Sequence, residues 1–510
     1  MGGGGEATGG SRAAAAGFAG APAVLLAAEL ANVSLGVVAP LVALAVVTAV
    51  GYRTVLRWSS LVCLVVLVIL FIPIKRYILP GNLPFQLEPY RLLVALVCLA
   101  WVTSLLIDPR VRLRRSGFDK PLLLYLLVIV SSLAANPHRT VGVFSDVLKS
   151  LVFFASFIIL FYVIVSVVRR RREIEAVVQT LVVGGTLVAR SAIVESRTHY
   201  NVFDHLSAVM PFTRFTGSMA LARSGRLRVV ASAQHPIALG AALVMLVPLT
   251  VYRIRLTRRW GWWACMVVLL LGALATSSRT AITMLLTIGV VYLSVYAREM
   301  RRMWPAIVPI LIVVHFAIPG ALGTTYESFF PKGGLIAQQQ NAPAGHARLS
   351  SLGPALRDEF SRDPVLGEGF ATRITPSAID AVGPQPTPNA PILDDQWLDV
   401  LCETGAAGAF ALGWLFVRFF RRLRGEARRD RTPRSALLVA LAASVVAYAV
   451  GMLTYDAYSF IQVTFLVFIC LGLGSAALLA DSAEWTDEQT PGERQRSLRL
   501  GTGRLSAAEA

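Results

Sequence analysis

Long apolar runs recur along most of the chain and alternate with short basic segments. The runs 61–74, 151–168 and 461–480 are examples. Each is close to the ~20 residues with which an α-helix crosses a hydrocarbon core of ~30 Å. The pattern therefore predicts a protein that crosses a membrane many times, and the expected fold class is an all-α polytopic membrane protein.

The basic segments mark the ends of the predicted spans, and thirteen spans fit between them. They are 37–51, 59–74, 91–107, 121–135, 147–168, 174–194, 235–252, 261–276, 280–297, 304–322, 397–417, 435–453 and 459–480. The stretch 12–53 has room for a further short span turning near 32–36, which would put both termini on one side. We predict a bundle of about 12–14 transmembrane helices with one large extracytoplasmic loop.

The same pattern divides the chain into five segments. These are a disordered Gly/Ala-rich tail at 1–20, N-terminal transmembrane helices at 21–322, the large extracytoplasmic loop at 323–396, C-terminal transmembrane helices at 397–480 and a cytoplasmic tail at 481–510. The loop is rich in Gly, Pro and Gln, and it is too long for a simple connection. A smaller outward segment is predicted at 195–234.

Composition supports a membrane location. Hydrophobic residues make up 55% of the chain and charged residues only 15%, whereas a soluble protein carries about 25% charge. The net charge of +18 raises the alternative of nucleic-acid binding. However, the arginines lie in short blocks between apolar runs, which is the distribution of cytoplasmic loops. We therefore expect a multi-pass protein of the cytoplasmic (inner) membrane, in contact with the lipid bilayer, and no nucleic-acid partner.

The five cysteines lie in or beside apolar runs, and none belongs to a C-x-x-C motif. This arrangement indicates neither a disulfide framework nor a zinc site. No metal site and no cofactor are predicted.

Three polar motifs stand at the predicted outer ends of spans, where free N–H groups at helix N-termini favour anions. In "RLRVVASAQHPIALG", Arg228 precedes His235 by seven residues. His235 is either a helix-capping or interfacial residue, or it takes part in catalysis. In "ATSSRTAI", Ser278 can cap a helix, and Arg279 stands at its start. Arg279 is either a phosphate ligand, because guanidinium binds two oxygens at once, or an anchor to lipid headgroups.

The third motif, "DDQWLDVLCETGAAG", carries acids at helical spacing into an apolar run. Asp394 or Asp395 can serve as an N-cap, but Asp399 and Glu403 lie one and two turns deeper on the same face. A carboxylate facing the bilayer centre costs about 2.5–3.5 kcal/mol. We therefore expect this helix to turn its acids toward a polar cavity inside the protein. Glu403 is either a structural partner of an arginine or a backbone N–H group, or a catalytic base.

In this order, the motifs resemble those of the O-antigen ligase and Wzy-type polysaccharide polymerase family. The resemblance covers about 228–413 in detail and the whole chain in layout. The matching positions are Arg228, Ser232 and 235–240; Thr276, Ser278, Arg279 and Ala281; Arg348 in the large loop; Pro364, Gly367 and Gly369; and Asp394, Asp395, Gln396, Trp397, Leu398, Glu403, Gly405 and Gly408. The chain departs from the ligases in two places, because Asp394 stands at their histidine and Asp395 at their asparagine. The first departure favours a polymerase-like member.

The resemblance implies a metal-independent, inverting glycosyl transfer on the outer side of the membrane. The donor would be a glycan on undecaprenyl pyrophosphate and the acceptor a sugar hydroxyl. Arg279, Arg348 and Arg228 would bind the pyrophosphate, where fixed cations stabilise the leaving group. Asp394 would replace the histidine as the base, with Asp395 and His235 as alternatives.

Supporting roles are expected for Glu403, Ser278 and Trp397, whose indole either stacks on a sugar or anchors the helix at the interface. A transporter or flippase of lipid-linked sugars is the main alternative function. Transporters usually place ionisable groups at the midplane of repeated halves, and no repeat is found here. A structural membrane scaffold is a further alternative.

Overall fold

The structure is a computed structural model that describes residues 57–80, 87–108, 111–216, 221–223, 226–303, 353, 355–373, 395–480 and 483–486. Its helices are α1 (Trp58–Phe71), α2 (Pro89–Ile107), α3 (Asp119–Ala135), α4 (Pro137–Gly142), α5 (Phe144–Val167), α6 (Arg171–Thr198), α7 (Pro236–Thr257), α8 (Trp260–Ala275), α9 (Arg279–Met303), α10 (Gln396–Arg429), α11 (Pro433–Gly451), α12 (Ile461–Leu479) and α13 (Ala483–Thr486).

The described residues form an all-α polytopic fold. Eight helices are long and apolar enough to cross a membrane: α2, α5, α6, α7, α9, α10, α11 and α12. Helices α1 and α8 are apolar but shorter. These helices and α3 coincide with eleven of the predicted spans to within a few residues, α10 alone running well past its predicted end. The predicted spans 37–51 and 304–322, and a further span before residue 53, lie outside the described residues.

The helices pack around two central members. In α12, 94% of the most apolar stretch is buried inside the protein, and in α7 the share is 83%. Small residues permit this close packing: Gly472 of α12 contacts Ile164 of α5, and Ser444 of α11 donates a hydrogen bond to the Met245 carbonyl of α7. By contrast, α2 is only 22% buried, and it exposes leucines that suit contact with lipid.

Successive spans alternate in direction from α1 to α9, apart from the short α4, and again from α10 to α12, so their connections collect at two ends. One end, here called the basic end, carries the arginine-rich connections near residues 170, 258 and 430. Arg418 of α10 donates to the Gly117 carbonyl (3.0 Å), and Arg434 of α11 donates to the Ala480 carbonyl (3.3 Å). The arginines at this end therefore satisfy helix ends as well as carrying charge.

The opposite end, here called the loop end, carries the connections 199–235, 276–278 and 452–460. Two short antiparallel ribbons also lie at this end. In one, β1 (Tyr77–Ile78) pairs with β2 (Thr213–Arg214), and in the other, β3 (Leu221–Arg223) pairs with β4 (Arg226–Arg228). All described residues of the three polar motifs lie at the loop end.

Candidate functional site

Helix α10 is broken near its N-terminal end, where Gly405 has φ 66° and ψ −170°. The interlocking loop, residues 363–370, fills the break. Its carbonyls at Pro364 and Val365 accept hydrogen bonds from the amides of Ala406 and Ala407 (2.8 and 3.2 Å). A helix break leaves backbone groups unpaired, and inside a membrane protein such groups need partners, which this loop provides.

The other side of the break is paired in the same way. The amide of Glu368 donates to the Cys402 carbonyl (2.9 Å), and the amide of Gly369 donates to the Glu403 carbonyl (3.0 Å). Ser132 of α3 adds a hydrogen bond to the Glu403 carbonyl (2.7 Å), and Asn136 donates to the Gly367 carbonyl (2.8 Å). Helix α3, the interlocking loop and α10 are thereby joined.

Two glycines make this approach possible. A Cβ on Gly405 would lie 2.2 Å from the Val365 carbonyl oxygen, and one on Gly367 would lie 2.5 Å from the Glu403 carbonyl carbon. Both residues also have positive φ, which only glycine adopts without cost. The structure thus uses Gly405 to break the helix and admit another segment of backbone.

A cavity of about 500 Å³ lies beside the N-terminal half of α10, as the sequence predicted for the acids on this face. Its charged lining residues are Lys75, Asp146, Lys149, Arg373, Asp399, Glu403 and Asp456, and its aromatic ones are Phe153, Phe154, Phe157, Phe370 and Tyr458. We call it the loop-end cavity. Its volume and its combination of aromatic and polar side chains are within the range of small-molecule sites.

Ion pairs and hydrogen bonds position the acids of α10. Arg373, which follows the interlocking loop, binds Asp399 at 2.6 Å. The Glu403 side chain and Ala371 line the same cavity. Because a buried carboxylate is costly unless it is paired, the ion pair with Arg373 explains how an apolar helix carries Asp399. The role of Glu403, as a structural partner or as a base, stays a prediction.

Asp456 is a carboxylic acid of the cavity that lies outside the membrane-spanning segments. Burial and the neighbouring Asp399 carboxylate raise the pKa of Asp456 to about 6. Ser459 donates to this carboxylate through its hydroxyl and its amide. Burial and the nearby Lys149 ammonium lower the pKa of Lys75, which also lines the cavity. The pKa of each side chain is thus shifted toward neutral pH from the ordinary value of its residue type.

The arginine turn, residues 276–279, lies between α8 and α9. Arg228 at the end of β4 donates from Nε to the Thr276 carbonyl (3.2 Å), so Arg228 and Arg279 belong to one region. Gly240 of α7 packs against the side chains of Thr276 and Ser278 in the same turn. The first two polar motifs are therefore in contact. Their order along the chain did not predict this contact.

Several buried polar atoms in this region make no hydrogen bond within the described part of the chain. They belong to Ser232, Gln234, Ser278 and Tyr455. Buried donors and acceptors in folded proteins are nearly always satisfied. These groups, next to two arginines, are therefore suited to binding a polar ligand with many oxygen atoms, such as a phosphate.

The segment before His235 is held by a buried ion-pair cluster that sequence reasoning did not identify. Arg76 binds Asp204 at 3.1 Å and donates to the Ala231 carbonyl (2.9 Å). Glu195 accepts hydrogen bonds from the amides of Val230 and Ala231 (3.2 and 2.8 Å). This cluster fixes the backbone that leads from Arg228 to His235.

His235 and Asp395 both act as helix N-caps in this structure. Nδ1 of His235 accepts from the Ile237 amide (3.2 Å), and its ring stacks on Phe460 (5.4 Å between centroids). Asp395 accepts from the amides of Trp397 and Leu398 (2.9 and 3.2 Å). Capping was one of the roles expected for each of them.

The other predicted site residues are placed as follows. The indole of Trp397 donates to the Ala449 carbonyl (2.8 Å) and packs edge-on against Phe416, so it lies between helices. Its role toward a sugar stays a prediction. Asp394 and Arg348 lie outside the described residues. Glu403 lines the loop-end cavity. Four other predicted site residues do not, and these are Arg228, Arg279, His235 and Asp395.

The connecting loop, residues 452–460, joins the arginine turn to the loop-end cavity. Thr454 is hydrogen-bonded to Thr280 (2.7 Å), Tyr455 and His235 both stack on Phe460, and Asp456 faces the cavity. The sequence signal that could have identified this loop is the short polar and aromatic segment "TYDAYS" between two apolar runs. Within the described ranges, no group of three or more His, Cys, Asp or Glu side chains is arranged to hold a metal ion.

These features define a multi-pass membrane protein with a polar site at one end of its helix bundle. Residues 264–413 match the family model Wzy_C, described as O-antigen ligase, and the resemblance expected from the motifs is thereby confirmed for this part of the chain. The match runs from α8 through the arginine turn to α10, and it relates the protein to ligase- or polymerase-type steps of polysaccharide assembly. A comparison with curated proteins found no match.

Proposed function

We propose that the protein transfers a glycan from undecaprenyl pyrophosphate to a hydroxyl group of an acceptor sugar, at the loop end of the helix bundle. The loop end then faces the outer side of the cytoplasmic membrane, which is the orientation that the arginines of the basic end favour. The single observation that carries the proposal is the coincidence of the family match with the site: residues 264–413 include the arginine turn, the interlocking loop and the part of α10 up to residue 413.

The donor requires a site for a pyrophosphate leaving group. Negative charge accumulates on this group as the glycosidic bond breaks, and fixed cations in a water-poor site stabilise it. Arg279 and Arg228 serve this role in the proposal, with Arg348 from the large loop as a third cation. The contact between Arg228 and Thr276, and the buried hydroxyl of Ser278, support a phosphate position at the arginine turn.

The acceptor hydroxyl requires a base. Asp395 and His235 have their side chains engaged as helix caps, which favours Asp394 among the three predicted residues. Asp456 is a second carboxylate for this role, because it faces the loop-end cavity and its pKa of about 6 makes it a stronger base than an ordinary aspartate. In this scheme the cavity receives the acceptor, and its phenyl rings offer apolar faces to the sugar.

The proposal is tested by glycan transfer in proteoliposomes that contain a synthetic undecaprenyl-pyrophosphate oligosaccharide, with EDTA present. We expect the wild-type protein to convert the donor, and Arg279→Ala to reduce conversion by about 100-fold or more, as for the loss of an oxyanion ligand. Asp394→Asn and Asp456→Asn are compared directly. The variant that loses more activity identifies the base.

Asp395→Asn is the matched control, since asparagine also caps helices well. Activity retained in this variant assigns Asp395 to capping alone. Longer lipid-linked products would identify a polymerase, whereas conversion only in the presence of a separate acceptor would identify a ligase. Unreacted donor that crosses the bilayer would overturn the enzyme and favour a flippase of lipid-linked sugars. Activity abolished by EDTA would overturn the metal-independent mechanism.

A further inference from the structure

A second cavity, of about 900 Å³, lies at the basic end, far from the site described above. Its described lining consists of Arg57, Trp58, Ser59, Val167, Arg169, Arg170, Arg172, Glu173 and Ala176. Four guanidinium groups therefore face one carboxylate. We call it the basic-end cavity.

The four arginines converge because α1 and α6 run side by side in the same direction. Gly184 of α6 packs against Leu70 of α1, and both helices begin at the basic end. Arg57 and Arg170 are their N-cap residues. Two parallel helices place two partial positive charges next to each other, and the arginines add to this potential. An anion at this position relieves the repulsion.

The single carboxylate of the lining, that of Glu173, is hydrogen-bonded to the backbone. Glu173 accepts hydrogen bonds from the amides of Arg169 and Arg170 (2.8 and 3.0 Å), so it caps α6. Arg171, in the middle of the same arginine run, is used differently. It pairs with Glu175 (2.7 Å) and lies over the ring of Trp485 at 5.3 Å. Arg171 is thus held by an ion pair away from the cavity, whereas Arg169, Arg170 and Arg172 line it. Of these three, Arg169 also donates from Nε to the Ser166 carbonyl (2.8 Å).

The remaining lining points to a lipid as the source of the anion. Trp58, Val167 and Ala176 give the cavity an apolar side next to the arginines. Tryptophan is enriched at the level of lipid headgroups, and basic cavities between transmembrane helices bind anionic headgroups. A free phosphate ion would gain nothing from the apolar side.

We infer that the basic-end cavity binds the phosphate headgroup of an anionic phospholipid, such as phosphatidylglycerol, from the membrane leaflet at that end. This binding is independent of the proposed glycan transfer, because none of its residues belongs to the loop-end site. Guanidinium groups bind phosphate oxygens in pairs, and the apolar side holds the adjoining glycerol and acyl carbons.

Native mass spectrometry of the purified full-length protein tests the inference, with phosphatidylglycerol or phosphatidylcholine added to the detergent. We expect phosphatidylglycerol to bind at least about tenfold more tightly than phosphatidylcholine, and the triple variant Arg57→Gln/Arg169→Gln/Arg172→Gln to abolish the difference. The matched control, Arg115→Gln/Arg421→Gln/Arg429→Gln, removes the same charge from other basic-end positions and is expected to bind like the wild type.

Three outcomes would overturn the inference. The triple variant could retain the preference, or the control could lose it to the same degree, which would show general attraction to the basic end. Inorganic phosphate at equal concentration could displace the lipid, which would show a site for the free anion. If the triple variant does not fold, the single change Arg172→Glu at an exposed position replaces it, and the same loss of preference is expected.

Discussion

Aspartate residues around the loop end have three different tasks. Asp395 caps α10, Asp399 is paired with Arg373, and Asp456 faces the cavity with Ser459 as its hydrogen-bond donor. The first task is local and follows from the position of Asp395 before a helix. Asp399 depends on Arg373, which comes from a distant part of the chain. Asp456 combines a local donor, Ser459, with the distant Asp399 carboxylate, which contributes to its raised pKa.

Asp456 provides a test at this scale. Its pKa is about 6 in the folded protein, against an ordinary value of 3.8, so the folded state binds its proton more tightly than the unfolded chain. The free energy of unfolding therefore falls as pH rises between about 4 and about 6. Above that range, the ionised Asp456 destabilises the folded state by its full amount. We expect Asp456→Asn to raise the free energy of unfolding at pH 7.5 by at most about 3 kcal/mol.

The measurement is thermal unfolding in detergent from pH 4.5 to 8. The gain from Asp456→Asn is expected to shrink toward low pH. Asp430 is the control of opposite sign: burial alone would raise its pKa, but hydrogen bonds from Thr432 and the ion pair with Arg434 lower it. Asp430→Asn should therefore reduce stability at neutral pH. A gain from Asp456→Asn that is independent of pH would contradict the prediction.

At the scale of elements, the joint between α10 and the interlocking loop is the main feature of the site. Four backbone hydrogen bonds cross the break at Gly405, from Ala406, Ala407, Glu368 and Gly369. The break leads the loop into α10 and thereby places Arg373 against Asp399. Two glycine-containing motifs that are far apart in the sequence are thus two halves of one structure.

Gly405→Ala is expected to disrupt this joint. The new Cβ would lie 2.2 Å from the Val365 carbonyl oxygen, and the backbone conformation disfavours any side chain. The strained conformation alone costs about 1–3 kcal/mol, and the clash adds to it. Thermal unfolding and size-exclusion chromatography of the purified variant give the measurement. Gly425→Ala is the matched control on the same helix, because no atom lies within 4 Å of its added Cβ; equal losses in both variants would argue against the joint.

At the scale of the whole molecule, the bundle has two chemically different ends. The basic end concentrates arginines, whereas the loop end combines carboxylates, lysines and aromatic residues around a cavity. The proposed function requires the loop end to face outward and the basic end to face the cytoplasm. The proposed lipid site likewise belongs to the leaflet at the basic end.

Labelling of single cysteines in intact cells tests this orientation. In a background without the five native cysteines, Val209→Cys at the loop end should react with a membrane-impermeant maleimide, since this side chain is 81% exposed. Arg429→Cys at the basic end should react only after the membrane is permeabilised. The reverse pattern would invert the topology and would exclude outward glycan transfer at the loop end.

The sequence by itself determined the eleven spans that lie within the described residues, because hydrophobic length is a local property on which membrane insertion depends directly. The sequence also predicted the resemblance to the O-antigen ligase model and a polar cavity beside Asp399 and Glu403. Helix capping by His235 and Asp395 was one of the roles that it predicted for them. Only the tertiary structure decided which residues complete that cavity. Lys75, Asp146, Arg373 and Asp456 come from four different connections or helix ends, and their proximity results from helix packing, which no local pattern encodes. The break at Gly405 was decided in the same way, because its physical cause is the approach of a backbone segment from elsewhere in the chain.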